Sequence, residues 1–531
     1  MIYHQNPSAA PAFARAFTVL IRRGTLGFLC LGLLMAGSVA KAASADYNVR
    51  DFGAAGDGQQ LDSPAIDRAI EAAVAAGGGR VVVPAGTYLC GSIHLRSNLQ
   101  LELAAGAVIL GAPQKLNAYD ETEPYTFGGY QDGGHCYFHN SLLWGEGLTN
   151  VTITGHGMIN GGGLARDSKL LDKMCGFDHW QHPTTNSLPP VRLGNKAIAL
   201  KLCRNVVIRD ITIYHGGHFA ILVTGCDNLT VDNVTIDTNR DGIDIDCCRS
   251  TTISNCRINS PNDDGLCPKS THALGETRLT EDLTIVNCQV SGFKEGTLID
   301  GTRVTRHGGY GRIKFGTEAS GGFRNCTIAN CTFHSCRGLA LEEVDGGILE
   351  NITINNLVME DVQTYAIYLT TGCRQRTPGV TTASRMRHIF ISNVVADGVD
   401  AMSGIQIMGQ TNEPITGVRL ENIRLISRGG GTRADAALKP AELGDGYPEP
   451  ERLGRLPAWG VYARHVRDLE LANIHLELQT NDYRPALQFV DVQDLTLDNV
   501  QPTSVPKVIP ATFSKNTQEV HIRNSPLLWR R

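Results

Sequence analysis

A phrase recurs along most of this chain and limits what the chain can fold into. Each copy is a short β-rich run, a polar turn that usually carries Asn, and a second short run. Copies start at Asn205, Asn228 and Thr251, 23 residues apart. They return at Leu283, Cys326, Asn351, His388, Val418, Leu469 and Leu495, with steps that lengthen to as much as 51 residues as loops enter. A period of about 20 to 30 residues built on strand-length apolar runs describes coils that stack on their neighbours. Alternate residues of a run point inward, so Thr230 and Val231 should face opposite ways. No long amphipathic helix separates the runs, which argues against a barrel or a doubly wound sheet. The one helical pattern is Ser63 to Ala75, where Ile66, Ile70, Ala73 and Val74 recur at helical spacing before Gly77-Gly78-Gly79 and the strand Arg80 to Val83. It is expected to cap the apolar end of the stack. The expected fold is all-β: a right-handed, single-stranded parallel β-helix with a short N-terminal capping helix.

A length of 531 residues would ordinarily suggest several domains. A solenoid escapes that expectation because each coil needs only its neighbours, and no stretch is biased enough to serve as a linker. Residues 43–531 are therefore expected to form one catalytic β-helix domain with inserted loops. The inserts are Pro113 to Leu143, Leu164 to Arg192, Ser270 to Glu281 and Gly429 to Ala458, the last expected as a surface loop from its Gly, Pro and charge. Residues 1–42 resemble a signal peptide: Arg15, Arg22 and Arg23 flank the apolar run Leu26 to Val39, and Ala40-Lys41-Ala42 follows. That run is too short to read as a membrane span, so the expectation is an exported monomer, periplasmic or extracellular, with no stable membrane insertion. A formal net charge of -5 excludes the basic excess of a nucleic-acid binder. Export permits disulfides, yet the spacing of the 15 cysteines resembles neither a disulfide framework nor a zinc site. Cys256, Cys288, Cys326 and Cys331 each follow an Asn, and buried free thiols account for them equally well. Cys247-Cys248 leaves outward pairing open.

The chemistry concentrates in Asn239-Arg240-Asp241-Gly242-Ile243-Asp244-Ile245-Asp246 and, one repeat on, Asn262-Asp263-Asp264-Gly265. Asp241 and Asp263 are 22 residues apart, about one coil, so their backbones should lie roughly 5 Å apart on neighbouring coils. Carboxylates this close push at least one pKa upward, and a poised acid beside a charged base is what glycosidic hydrolysis requires. A gap wide enough for water would mean inversion. Asp-Gly pairs are also ordinary turn formers, and oxygen-rich clusters also bind calcium. Stacking on successive coils, a position in mid-solenoid, and the basic residues Lys269, Lys294, Arg312 and Lys314 favour catalysis, with no metal or cofactor called for.

At these residues the chain resembles the polygalacturonase family, the pectin-hydrolysing glycoside hydrolases with right-handed β-helices. Tyr47 to Ala54 with Gly56-Asp57-Gly58 resembles the family's opening, and Gly155 to Gly161 its early glycine-rich coil. Asn239 to Gly242 matches its Asn-Thr-Asp-Gly motif with Arg240 in second place, and Asp263-Asp264-Gly265-Leu266, then Lys269-Ser270, its aspartate pair. The resemblance implies a pectic oligo- or polysaccharide substrate, Asp263 as general acid, Asp241 and Asp264 as activators of water, and Asp244 beside or beneath them.

Departures from the family bear on the substrate. The family's Gly-His-Gly falls on Gly309-Tyr310-Gly311, registered by Gly316-Thr317-Glu318, so Tyr310 stands where the histidine would be. The family's Arg-Ile-Lys, which holds the sugar carboxylate, falls on Ala340-Leu341-Glu342, and Glu342 replaces the lysine. Arg312-Ile313-Lys314 lies one coil earlier. Either Arg312 and Lys314, alternating onto one strand face, serve a uronate from there, or the sugar at that position is not galacturonate and Glu342 accepts bonds from neutral hydroxyls. The remaining candidates are Asn239, His218 in His215-Gly216-Gly217-His218-Phe219, and Tyr368 with Tyr365 at a coil edge. Trp144, Trp180 and Trp459 are candidate sugar platforms that core packing explains equally well. Tyr447-Pro448-Glu449 and Arg464-His465 resemble a segment of bacterial members, without assigned chemistry. The expected activity is hydrolysis of α-linked galacturonate with inversion, attack on chain ends following if the inserts close one end of the cleft. Rival readings are a glycosidase for another pectic sugar such as rhamnose, a calcium-dependent lyase using Asp244, Asp246 and Lys294, and a glycan-binding solenoid.

Overall fold

The computed structural model describes residues 46–124, 133–166 and 192–528. The expected leader at 1–42 lies outside them, as does Trp180. From Asp46 the chain winds as a parallel β-helix in which each coil contributes up to three strands. One coil supplies Phe219–Thr224, Asp227–Asp232 and Thr235–Asp237, and the next Asp241–Asp246, Arg249–Ser254 and Arg257–Asn259. Neighbouring coils pair parallel and in register: Leu222 beside Asp244, Val231 beside Ile253, Ile236 beside Ile258.

That register stacks like on like inside the solenoid. Ile208, Val231, Ile253, Ile285, Ile328 and Ile354 occupy one inner position on successive coils, and all are buried. Each such side chain contributes about 1.5–3 kcal/mol through burial. Thr230 points away and is half-exposed, as the alternation requires.

The Asn of the repeated turn has a structural cause. Asn255, Asn287, Asn330, Asn356, Asn393 and Asn422 all have positive φ, between 53° and 58°. Asn tolerates that left-handed conformation better than other side chains with a Cβ. Their amides also form a ladder: Asn356 Nδ2 donates to Asn330 Oδ1 at 3.0 Å, and Asn393 Nδ2 to Asn356 Oδ1 at 3.2 Å. The cysteines that follow point inward. Cys256, Cys288 and Cys331 are buried, and the 13 described cysteines are all free. Outward pairing of Cys247 and Cys248 is corrected: both are fully buried, Cys247 against Asp246 and the Thr271 carbonyl.

The predicted helix forms over Ser63–Ala75 and buries Ala65, Ile66, Ala69, Ile70 and Ala73 against the first strands. Among the described residues no helix is long and apolar enough to cross a membrane. The insert expected as a surface loop, Gly429 to Ala458, is partly an inward strap. Arg464 donates to the carbonyls of Pro440 (2.6 Å) and Ala441 (3.2 Å), His465 pairs with Glu442 at 3.0 Å, and Tyr368 Oη donates to the Pro448 carbonyl at 2.7 Å. These anchors carry Tyr447–Glu449 onto the coils that bear Arg312, Lys314 and Tyr368.

Candidate active site

The first strand of each coil builds the site. Asp241 opens the strand Asp241–Asp246, and Asp263 and Asp264 precede Leu266–Lys269 on the next coil. The two coils meet closely because Gly242 has no side chain: a Cβ there would lie 2.3 Å from the Gly265 carbonyl oxygen. Asn262 N–H donates to the Asn239 carbonyl at 3.2 Å and ties the two carboxylate-bearing turns together. Oxygens of Asp241, Asp263 and Asp264 consequently lie within 4.8 Å of one another. Asp241 and Asp264 are buried, while the Asp263 side chain is 22% exposed and is the member solvent can reach.

The three carboxyl groups are held differently. Burial opposes charge on Asp264, but Arg312 Nε at 2.7 Å and Lys314 Nζ at 3.1 Å outweigh it and keep its pKa well below the usual carboxylate range. Burial pushes Asp241 well above that range, and the nearby Asp263 and Asp244 add to the push. Asp263 instead meets a cation, Arg240 Nη2, at 2.8 Å. The raised carboxyl that the sequence led one to expect is therefore on Asp241, while the Arg in the second place of the motif sits on Asp263. Asp241 therefore resists charge beside an Asp264 that is held as a fixed anion.

The other candidates assemble around this trio. Asp244 is buried between His135 Nε2 (3.3 Å) and Lys269 Nζ (3.7 Å), and burial raises its pKa. Lys269 also pairs with Glu318 at 2.9 Å. Arg312 and Lys314 share one strand face and both reach Asp264. Glu342, on the following coil, lies 3.9 Å from Arg312 and 3.8 Å from Lys314, and neither of its oxygens has a hydrogen-bond partner. Burial pushes Glu342 up to about 7 against these two cations. Tyr365 hydrogen-bonds Arg312, and its ring lies 5.2 Å from that of Tyr368. Tyr310 has the Arg337 guanidinium 3.4 Å from its ring centre. His218 is buried edge-on to Phe219, 4.3 Å between ring centres, and walls the site.

Other groups lie elsewhere. Asp246 accepts from Thr224 Oγ1 at 3.1 Å and from Thr271 N and Oγ1, both at 2.7 Å, which gives it a structural place. Lys294 is exposed. Trp459 is buried in the core, which corrects its candidacy as a sugar platform. Trp144 stacks on His139 at 4.0 Å and donates to Asp120, and in register it lies three coils before Asp244. Sequence reasoning missed His135, Glu318 and Arg337, and gave Glu449 no role. Glu449 Oε1 lies 2.6 Å from Arg312 Nη2 and Oε2 lies 2.5 Å from Arg337 Nη1, and these cations hold it, against burial, down at about 2.

Side chains pack beside the trio in both directions along the strand stack. Toward the N-terminus, Phe138 packs on Ala199, Phe219 and Leu222. Toward the C-terminus, Tyr447 lies by Lys314 and Glu449 by Arg312. The trio combines one accessible acid, Asp263, one fixed anion, Asp264, and a raised carboxyl, Asp241. It can protonate a leaving oxygen and polarise a water. The trio's oxygens are close enough for one divalent cation to bridge, but Arg240, Arg312 and Lys314 already supply the positive charge.

Residues 47–267 match the model of the family described as rhamnogalacturonase A/epimerase, pectate lyase-like. A probable polygalacturonase of Vitis vinifera is 25% identical over 393 residues, 71% of this chain and 73% of that protein. An exopolygalacturonase of Platanus acerifolia is 23% identical over 425 residues, 76% of this chain and 96% of that protein. The family 28 exopolygalacturonase of Yersinia enterocolitica shares the fold with a TM-score of 0.64 at 19% identity, covering 87% of this chain and 79% of that one. With the aspartate motifs in register on successive coils, these likenesses make the chain similar to the polygalacturonases, glycoside hydrolases with which it shares the parallel β-helix fold.

Proposed function

We propose that the protein hydrolyses glycosidic bonds in a pectic polysaccharide or oligosaccharide, acting at chain ends. The observation that carries this reading is the trio Asp241, Asp263 and Asp264 within 4.8 Å, one member reachable and one held ionised. The closure of Tyr447–Glu449 on Lys314 and Arg312 supports chain-end attack, since it occupies one side of the trio. Inversion rests on the family resemblance. The oxygens here are closer than the roughly 6.5–9.5 Å usual between inverting carboxyls, so the anomer first formed, read by proton NMR, decides the stereochemistry.

α-Linked galacturonate is the sugar the relatives' names suggest. A second reading, a glycosidase for another pectic sugar such as rhamnose, is favoured by one observation: Arg312 and Lys314 are buried and already paired. The lyase reading loses support because Asp246 is tied to threonines and Lys294 stands apart. Export by way of residues 1–42 belongs to the same proposal, and N-terminal sequencing of secreted protein checks it.

The decisive experiment compares wild type with Asp263→Asn on homogalacturonan, rhamnogalacturonan oligosaccharides and neutral pectic side chains. Loss of reducing-sugar release with glycan binding retained is expected. Equal release by the variant overturns the mechanism, and binding without release by the wild type means a glycan-binding solenoid.

A further inference from the structure

Arg312 is a cation in contact with Asp264, and each of its three nitrogens is already engaged. The residue is 0% exposed. Nε faces Asp264 Oδ1 at 2.7 Å, Nη2 meets Glu449 Oε1 at 2.6 Å, and Nη1 is hydrogen-bonded to Tyr365. Lys314 is divided among Asp264 (3.1 Å), Glu342 (3.8 Å) and the Tyr447 hydroxyl (3.4 Å). Arg337 binds Glu449 and Glu451. Each of the three cations here thus already has a carboxylate partner, and a further anion entering this group would have to compete with one of the protein's own.

Glu449 does not reach this position by accident of a loose loop. Its neighbour Pro448 is held through its carbonyl by Tyr368, and the base of the strap is held by Arg464. A guanidinium fork recognises a carboxylate with two aligned donors, and the strap fills one side of that fork with a carboxylate of the protein.

We propose that Glu449 is a specificity-determining residue. Its carboxylate takes the anion's place at Arg312, so the sugar ring seated beside Asp264 is a neutral one. The inference rests on the hydrolase reading above and narrows its substrate class to a pectic oligosaccharide presenting a ring without a carboxylate at this position.

The test uses two oligosaccharides of equal length, one ending in galacturonate and one in rhamnose, with wild type, Glu449→Gln and Glu449→Ala. Wild type is expected to favour the neutral end by about tenfold or more in kcat/KM, and both variants to narrow that ratio by about tenfold through gains on the uronate end. Equal or better turnover of the galacturonate end by wild type, or a ratio unchanged in the variants, overturns the proposal. The isosteric Glu449→Gln keeps the test available if Glu449→Ala fails to fold. Binding of the same two ligands to Asp263→Asn, measured by calorimetry, judges specificity apart from catalysis. A preference for galacturonate there overturns this inference whatever becomes of the hydrolase reading, whereas absence of turnover on both ligands overturns only the latter.

Discussion

Arg240 and Asp263 form an ion pair, Nη2 to Oδ2 at 2.8 Å, at the only member of the carboxylate trio that solvent reaches. The residue that departs from the family motif is thus in contact with the group the resemblance assigns as general acid. The neighbouring Asp241 is driven up by burial and by Asp263 itself, and Arg240 counters that push. Arg240 therefore acts on both groups, as the ion-pair partner of the reachable carboxylate and as a brake on the rise of the buried one.

Replacing this cation tests where the working proton lies. Arg240→Thr restores the family's residue and removes the positive charge from Asp263. The upward push on Asp241 then loses one of its counterweights, so its pKa rises further and the limb of the kcat/KM profile that Asp241 sets is expected to move upward. A profile unmoved by the substitution would mean that the proton of Asp241 does not limit turnover.

Arg312 supports the opposite requirement, an anion that stays charged. It holds Asp264 well below the usual range despite burial. In Arg312→Met the buried Asp264 and Glu449 lose their shared partner, at a cost of about 3–5 kcal/mol in stability. The Asp264 pKa rises toward or above the ordinary value, so the acidic limb of the activity profile should shift upward and kcat should fall. Urea midpoints and pH–rate profiles read the two effects separately, and Arg312→Lys, which keeps the charge, should restore part of the activity.

Glu342 gives a stability prediction with a definite sign. Its folded-state pKa is pushed up to about 7 by burial, from an ordinary value of 4.5. The folded protein therefore binds this proton more tightly than the unfolded chain does. Its stabilising contribution is complete below pH 4.5 and is lost as pH rises through 7, a loss on the order of 3 kcal/mol. Glu342→Gln carries no such proton. Its thermal midpoint should gain on wild type as pH rises from about 4.5 to 8, and a constant difference across that range would contradict the assignment.

The coils were legible because their signal is local and repeated. Asn255, Asn287 and Asn330 mark left-handed turns, and the isoleucines that precede them mark the inner face. The trio was legible because a 22-residue separation between Asp241 and Asp263 matches one coil. Glu449 and Arg337 were not legible. They meet across 112 residues through a strap whose composition is that of a surface loop, and nothing within the segment announces its register on Arg312. Arg312 and Lys314 were read as free to serve a substrate because a sequence shows charge and strand face, not which partners have already closed on them. Outside the strap one trace was available: Tyr368, whose hydroxyl reaches Pro448, sits two coils from Lys314 in register.

The Asn ladder separates backbone from side-chain contributions to the solenoid. Asn356 has φ 55°, donates to Asn330 at 3.0 Å, and accepts from Asn393 at 3.2 Å. Asn356→Gly keeps the left-handed backbone accessible and loses only these exposed amide bonds. Asn356→Ala loses them too and adds the left-handed strain of a Cβ, about 1–2 kcal/mol. Ala is therefore expected to be less stable than Gly at this position, the reverse of their order in a helix or an ordinary strand. Denaturant midpoints of the two variants measure the difference. A Gly variant as destabilised as the Ala variant would place the ladder's value in its side-chain hydrogen bonds rather than in the turn.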